Sequence, residues 1–164
     1  MRGYNPVTEG HPKQIAKLAE AINNAHRPLL YVGGGVISGN AAAELTALAR
    51  KAQIPVTTTL MGLGAFPETD PLALRMLGMH GSVAANLAVS HCDLLVSVAA
   101  RFDDRVTGKI SQFAPKAIKA HIDIDPSAID KSVTTDIPVV GHVLQVLKSL
   151  IGQVKPVERS AWLK

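Results

Sequence analysis

The chain has 164 residues, 47% of them hydrophobic and 18% charged, and a formal net charge of +4. That length supports one domain with a real core, and that balance excludes a disordered or fibrous chain. No basic run exceeds two residues, which argues against a nucleic-acid surface; no apolar run reaches membrane-spanning length; the single Cys92 excludes an internal disulfide. A soluble protein of the cytoplasm is expected, with an organelle interior as the alternative.

In chain order, residues 1–10 read as an entering linker broken by Gly3, Pro6 and Gly10. Pro12 suits a first helical turn, and Ile15, Leu18, Ala19 and Ile22 recur at helical spacing until Arg27-Pro28. "LLYV" is a first strand, followed by Gly33-Gly34-Gly35. Ser38 is expected to cap a helix striped by Ala42, Leu45, Leu48, Ala49 and Ala52. Residues 54–59 form a second strand, rich in β-branched side chains. The next segment, "LMGLGAFPETDPLALRMLGMHG", is too long for an ordinary connection and reads as functional. A helix over 82–89 leads to a third strand, "DLLVSVAA", and the charged loop "RFDDRVTGK". The fourth strand, "AHIDI", ends at Asp125-Pro126. A short strand "IPVV" and a helix over 141–150 follow, and 153–164 read as an exiting linker. The domain proper is therefore placed at 11–152.

Alternating strands and helices predict an α/β fold: a doubly wound, Rossmann-like parallel sheet of five or six strands with helices on both faces. Ligands of such sheets bind beyond the carboxyl ends of the strands. Here those ends carry glycines or charges in every case. The run Gly33 to Ser38 nearly matches a dinucleotide-binding turn, with Ser38 in the place of the third glycine. Its glycines would let backbone amides reach a pyrophosphate, or serve only a tight turn. No acid ends the second strand to grip ribose hydroxyls, which weakens a nicotinamide reading, and no P-loop lysine follows the glycines.

His121, Asp123 and Asp125 alternate along one strand and share a face. Three residues so spaced do not converge readily on one ion, so no metal is assigned. Arg101 and Arg105 flank two acids and suit phosphate or carboxylate, or a solvated loop of local ion pairs. Met79 reads as a core filler and His80 as a helix-start residue, unless a ligand claims them.

The segments "GYNPVTEGHPKQI", "VTTTLMGLGAFP", "LGMHGSVAANLAV", "ARFDDRVTGKISQFAP" and "HIDIDPSAI" together resemble the central domain of the acetohydroxyacid (acetolactate) synthase large subunit. The resemblance covers nearly the whole chain. It implies a three-domain thiamine diphosphate enzyme that joins pyruvate to pyruvate or 2-ketobutyrate. Thiamine diphosphate and Mg²⁺ would be held by N- and C-terminal domains that this chain does not match, since it contains no Gly-Asp-Gly. The central domain would bind FAD, with no redox part in the main reaction, and this chain alone would be inactive. A homo-oligomer and a small regulatory subunit are the further partners implied, with neither nucleic acid nor membrane among them.

The same resemblance gives the flavin site to Gly33, Gly34 and Gly35, to Thr59, Leu60 and Met61, and to Leu77, Gly78, Met79, His80 and Gly81. It adds Arg101, Asp103, Arg105 and Val106, with Arg105 also meeting a 2-keto-acid carboxylate. Asp123, Ile124 and Ala128 would take the adenosine end, with Gly141, His142 and Val143 beside them. Two departures stand out: His142 where an Asp is common in the family, and Ala99 where a glycine is frequent. The alternatives are a stand-alone dinucleotide-binding module, or the central domain of another thiamine diphosphate enzyme such as glyoxylate carboligase or an oxidase.

Overall fold

The computed structural model describes residues 6–164; the stretch 1–5, with Gly3, lies outside the described residues. The first helix, α1 (Pro12–Asn24), begins with Pro12 in its first turn, and the His11 ring accepts from the Lys13 amide at 3.3 Å. It buries Ile15, Leu18, Ala19 and Ile22, the stripe its spacing announces. The sheet is built from β1 (Pro28–Val32), β2 (Val56–Thr58), β3 (Ala73–Met76), β4 (Leu94–Val98), β5 (Ile118–Asp123) and β6 (Ile137–Val140). All pairings are parallel and the order is β3-β2-β1-β4-β5-β6.

Pleating sends alternate side chains to opposite faces. Leu30 and Val32 join a core with α1, α3 (Ala42–Ala52) and α6 (Val143–Gln153). Leu29 and Tyr31 join a second core with α4 (Val83–His91), Phe102 and Phe113. Strands buried on both sides read as continuous apolar runs, which is how "LLYV" and "DLLVSV" stand in the sequence.

The structure departs from the sequence reading in four places. Ser38 does not cap α3; it ends a four-residue helix, α2 (Gly35–Ser38), which starts directly from the glycine run, and Asn40 at φ +51° separates the two helices. The long segment after β2 contains β3, an edge strand disguised by a bulge that skips Leu74 and by Arg75 at φ +64°. The charged loop after β4 holds one helical turn, α5 (Asp104–Thr107). Helices do not intervene everywhere: β2–β3 and β5–β6 are joined through single 3₁₀ turns, Leu60–Gly62 and Pro126–Ala128.

The segment read as an exiting linker packs closely. Val154 is buried, and the Trp162 indole donates to Pro28 O at 2.9 Å. Arg159, only 5% exposed, donates to Ala25 O (3.2 Å), Ile22 O (2.6 Å) and Ala52 O. These carbonyls close α1 and α3, where a cation meets the negative ends of both helices. At the other end of the chain, Thr8 O accepts from the His142 amide at 2.7 Å.

β1 and β4 are neighbours although two strands separate them in sequence, so the topological switch point lies between them. The glycine run closes it. Gly33 N–H donates to Val98 O at 3.0 Å and Gly35 N–H to Ala99 O at 3.3 Å. A Cβ at Gly33 would fall 2.2 Å from Ala99 O, at Gly34 2.9 Å from Met61 O, and at Gly35 2.6 Å from the Ala99 methyl. Backbone-to-backbone approach between loops therefore demands these glycines, and two of their three amides are already engaged. Ala99 itself sits at φ +48°, a left-handed conformation unfavourable for a residue with a Cβ.

Two stability predictions follow from these contacts. Arg159→Met should cost about 3 kcal/mol, because it strands carbonyls at two helix ends, with Arg159→Lys intermediate. The check is a urea midpoint at unchanged slope, and a loss under about 0.5 kcal/mol would refute the role. Gly35→Ala should cost about 2–3 kcal/mol by collision with Ala99. Ala99→Gly in that background should restore about 1 kcal/mol more than it contributes alone; strictly additive changes would show that the two residues do not collide.

Candidate functional site: a cleft at the carboxyl edge of the sheet

Beyond the switch point lies a cleft of about 730 Å³. Its base is Gly33, Gly34, Gly35 and Ala99, and one lip is Thr59, Leu60 and Met61. Thr59 caps the 3₁₀ turn, its Oγ1 accepting from the Gly62 amide at 3.0 Å, so Leu60 and Met61 point outward; Met61 is 76% exposed.

The opposite lip comes from "LGMHG". The Asn86 side-chain amide bonds both the N–H and the O of Gly78, each at 3.0 Å. Gly78 has φ +98°, and a Cβ there would lie 3.2 Å from Arg105 O, so this turn packs directly on the loop after β4. Leu77, Met79 and His80 line the cleft. Met79 is 85% exposed, so it is not the core filler that its residue type suggests. Ser82 rather than His80 caps α4, accepting from the Ala85 amide at 3.0 Å.

The third wall is "RFDDR". Phe102 is buried and sits against Tyr31 (5.9 Å between ring centroids), Phe113 (5.8 Å) and His121 (5.2 Å). This anchor leaves Arg101, Asp103, Asp104 and Arg105 exposed, and Arg101, Asp103, Arg105 and Val106 line the cleft. Asp103 caps α5, its Oδ1 accepting from the Arg105 amide at 3.1 Å. That amide, and then Asp104 and the nearby Arg105 and Arg101 charges, hold the Asp103 carboxyl below the usual carboxylate range. Arg105 is thus presented on a short capped turn, with Arg101 just before it, beside an apolar slot.

Sequence reasoning missed three lining residues: Tyr31, Met76 and Ala100. Tyr31 reads as a buried strand residue, yet its hydroxyl donates to Arg101 O at 3.2 Å and ties β1 to the charged loop. Burial, and then the Asp103 charge, raise its pKa above the ordinary tyrosine value. Ser97 performs the same task from β4, donating to Ala100 O at 2.8 Å. The signal was present as polar residues inside apolar strands.

Gly81 lies outside the lining and closes its turn, its amide donating to Gly78 O at 3.0 Å; the other expected residues stand on the same edge around the end of β5. Asp123 ends β5; its Oδ1 accepts from the Asp125 amide and its carbonyl from the Gly141 amide, both at 2.9 Å. Burial pushes the Asp123 carboxyl up, but His121 and the Asp125 and Ile124 amides outweigh it and hold it low. Ile124 and Ala128 flank the next turn, both half-buried. His142 precedes α6 without a side-chain cap bond. A Cβ on Gly39 would lie 2.5 Å from Val143 and 3.5 Å from the His142 ring, so α2 bridges the cleft to these residues. Asp125 turns away from the pair, capping Pro126–Ala128 through the Ser127 amide at 2.9 Å. Among the described residues no group of three His, Cys, Asp or Glu is gathered to hold a metal ion.

Comparison with known proteins adds the context. The chain is 52% identical over 99% of its length to the "Probable acetolactate synthase large subunit" of Methanocaldococcus jannaschii, covering 28% of that protein. It is 44% identical over 100% of its length to the "Acetolactate synthase large subunit" of Buchnera aphidicola subsp. Acyrthosiphon pisum, covering 29%. It is 45% identical over 93% of its length to the protein of that name from Haemophilus influenzae, covering 26%. The chain thus spans little more than a quarter of these relatives. The model described as "Thiamine pyrophosphate enzyme, central domain" matches residues 15–150, and by that match the chain belongs to the family of thiamine pyrophosphate enzyme central domains.

Proposed function

We propose that this chain is the FAD-binding central domain of an acetohydroxyacid synthase large subunit. The observation that carries the reading is the convergence of the glycine run, the "LGMHG" turn and the "RFDDR" loop on one cleft at the switch point. Its size falls within the range of small-molecule and cofactor sites, roughly 300–1,000 Å³. Apolar lips of Leu60, Met61 and Met79 suit the faces of a flat aromatic ring system. Arg101 and Arg105 suit the diphosphate, and α2 leads on to Asp123 and His142 at the adenosine end.

Gly33 and Gly35 have their amides engaged, so they serve the cofactor by leaving room rather than by donating. Arg105 stands where flavin and substrate pocket would adjoin, and a 2-keto-acid carboxylate is its second partner. Thiamine diphosphate supplies the carbanion chemistry of the whole enzyme. It and Mg²⁺ belong to N- and C-terminal domains outside this chain; among the described residues no three His, Cys, Asp or Glu gather to hold an ion. The assembled enzyme is a homo-oligomer of the cytoplasm with a small regulatory subunit. No helix among the described residues is long and apolar enough to cross a membrane.

Titration with FAD should give saturable quenching of flavin fluorescence. Arg105→Ala should weaken it about tenfold, a loss of about 1.4 kcal/mol. Undiminished affinity in that variant, or no binding by the wild type, would remove the flavin from this cleft. Supplied with pyruvate, thiamine diphosphate and Mg²⁺, the 164-residue chain should form no acetolactate; turnover would contradict the assignment of the chemistry to other domains.

A further inference from the structure

His121 is only 1% exposed, yet neither ring nitrogen has a hydrogen-bond partner. Buried polar groups are seldom left so, because an unmet donor or acceptor has given up its bonds to water for nothing in return. The ring is held from every side. It pairs in register with Ser97 of β4 and Pro138 of β6, and Phe102 meets it edge-on at 5.2 Å. The Ser97 hydroxyl is already given to Ala100 O. Two residues back on the strand, the Lys119 ammonium is given to Ala117 O at 3.3 Å; two residues on stands Asp123. Its Oδ2 lies 3.6 Å from His121 Nε2, just beyond hydrogen-bond length.

The two oxygens of Asp123 are therefore unequal. Oδ1 is fixed by the Asp125 amide, and Oδ2 has the imidazole behind it. The carboxylate side chain is 15% exposed at the sheet edge, open to a ligand on one side and backed by a buried donor on the other. A small rotation would close the gap, and with the proton on Nε2 the ring would donate to Oδ2. Both carboxylate oxygens would then be fixed, each with a lone pair free for a hydroxyl pair.

We propose that His121 is a positioning residue that orients the Asp123 carboxylate toward the ribose of the adenosine half, an inference that rests on the FAD reading above. It acts through Asp123 and does not touch the ligand.

The test uses two flavins. FAD carries the adenosine and FMN does not, so an effect through Asp123 appears with FAD alone. Dissociation constants for both are measured on wild type, His121→Phe, His121→Gln, Asp123→Asn and the double variant His121→Phe/Asp123→Asn. His121→Phe and Asp123→Asn should each weaken FAD about fivefold and leave FMN unchanged. The double variant should lose no more than Asp123→Asn alone. His121→Gln keeps a donor and should retain most of the affinity. His121→Leu covers the case of a phenylalanine that does not fit beside Phe102.

A carbon-13 NMR titration of the Asp123 carboxyl provides the second readout. With His121 the group should titrate below the usual carboxylate range, and in His121→Phe or His121→Leu its midpoint should rise. Wild-type FAD affinity in both apolar variants, fully additive losses, or equal loss of FMN would overturn the proposal. If the wild type binds neither flavin, that failure belongs to the FAD reading. The carboxyl titration then decides alone: an unmoved Asp123 overturns the pairing and a raised midpoint upholds it.

Discussion

Everything at the carboxyl edge of this sheet depends on the absence of side chains at positions 33–35. Three loops from separate strands meet there backbone to backbone, with Ala99 on one side and Met61 on the other. A single methyl would force them apart. The usual account of such a run is that glycine brings amides to a phosphate. Here Gly33 and Gly35 give their amides to Val98 and Ala99 instead. The glycines thus build the cleft before they can serve a ligand, and their first partner is the protein itself.

The walls of the cleft share one construction rule: a neighbour that is buried or bonded to backbone presents each exposed lining residue. Phe102 fills the second core and so raises Arg101 and Arg105 to the surface. Asn86 clamps Gly78 and so turns Met79 outward. Tyr31 and Ser97, inside the strands, fix the carbonyls of Arg101 and Ala100. These contacts fix the backbone from which the exposed side chains project, so the loops themselves need no ordering when a ligand binds. Arg159 works by the same logic at the far edge, where one cation closes two helices.

Most of this was legible in the sequence where the physics was local. The α1 stripe and the runs of β1 and β4 follow from periodicity and apolar pattern alone. Those features need no tertiary partner. What escaped notice needs one. The strand β3 is defined by its bulged pairing with β2, and Arg75 in a left-handed conformation breaks any alternating pattern. Arg159 looks like a charge in a linker until its three carbonyls are seen. Tyr31 looks like a strand filler and His121 like one of three alternating polar residues, because burial and the lack of a partner are invisible in one dimension. Ser38 misled by its type: a good cap residue placed one turn too early, after glycines that had already begun a helix. The approach of Leu60, Met79 and Arg105 to one slot came from family resemblance, since no spacing rule joins residues so far apart in the chain.

The shifted ionisable groups of the domain share one tendency. Asp103 is held ionised by the Arg105 amide, Tyr31 is held neutral by burial, and Cys92 is buried with its pKa pushed up to about 12. Asp123 too is kept charged, against its own desolvation. These four groups are each biased toward the form they hold near neutral pH, the opposite of the poised acids and bases that chemistry requires. On the FAD reading proposed above, a cleft so arranged would fix a diphosphate and a flat ring, and proton transfer would fall to groups outside it.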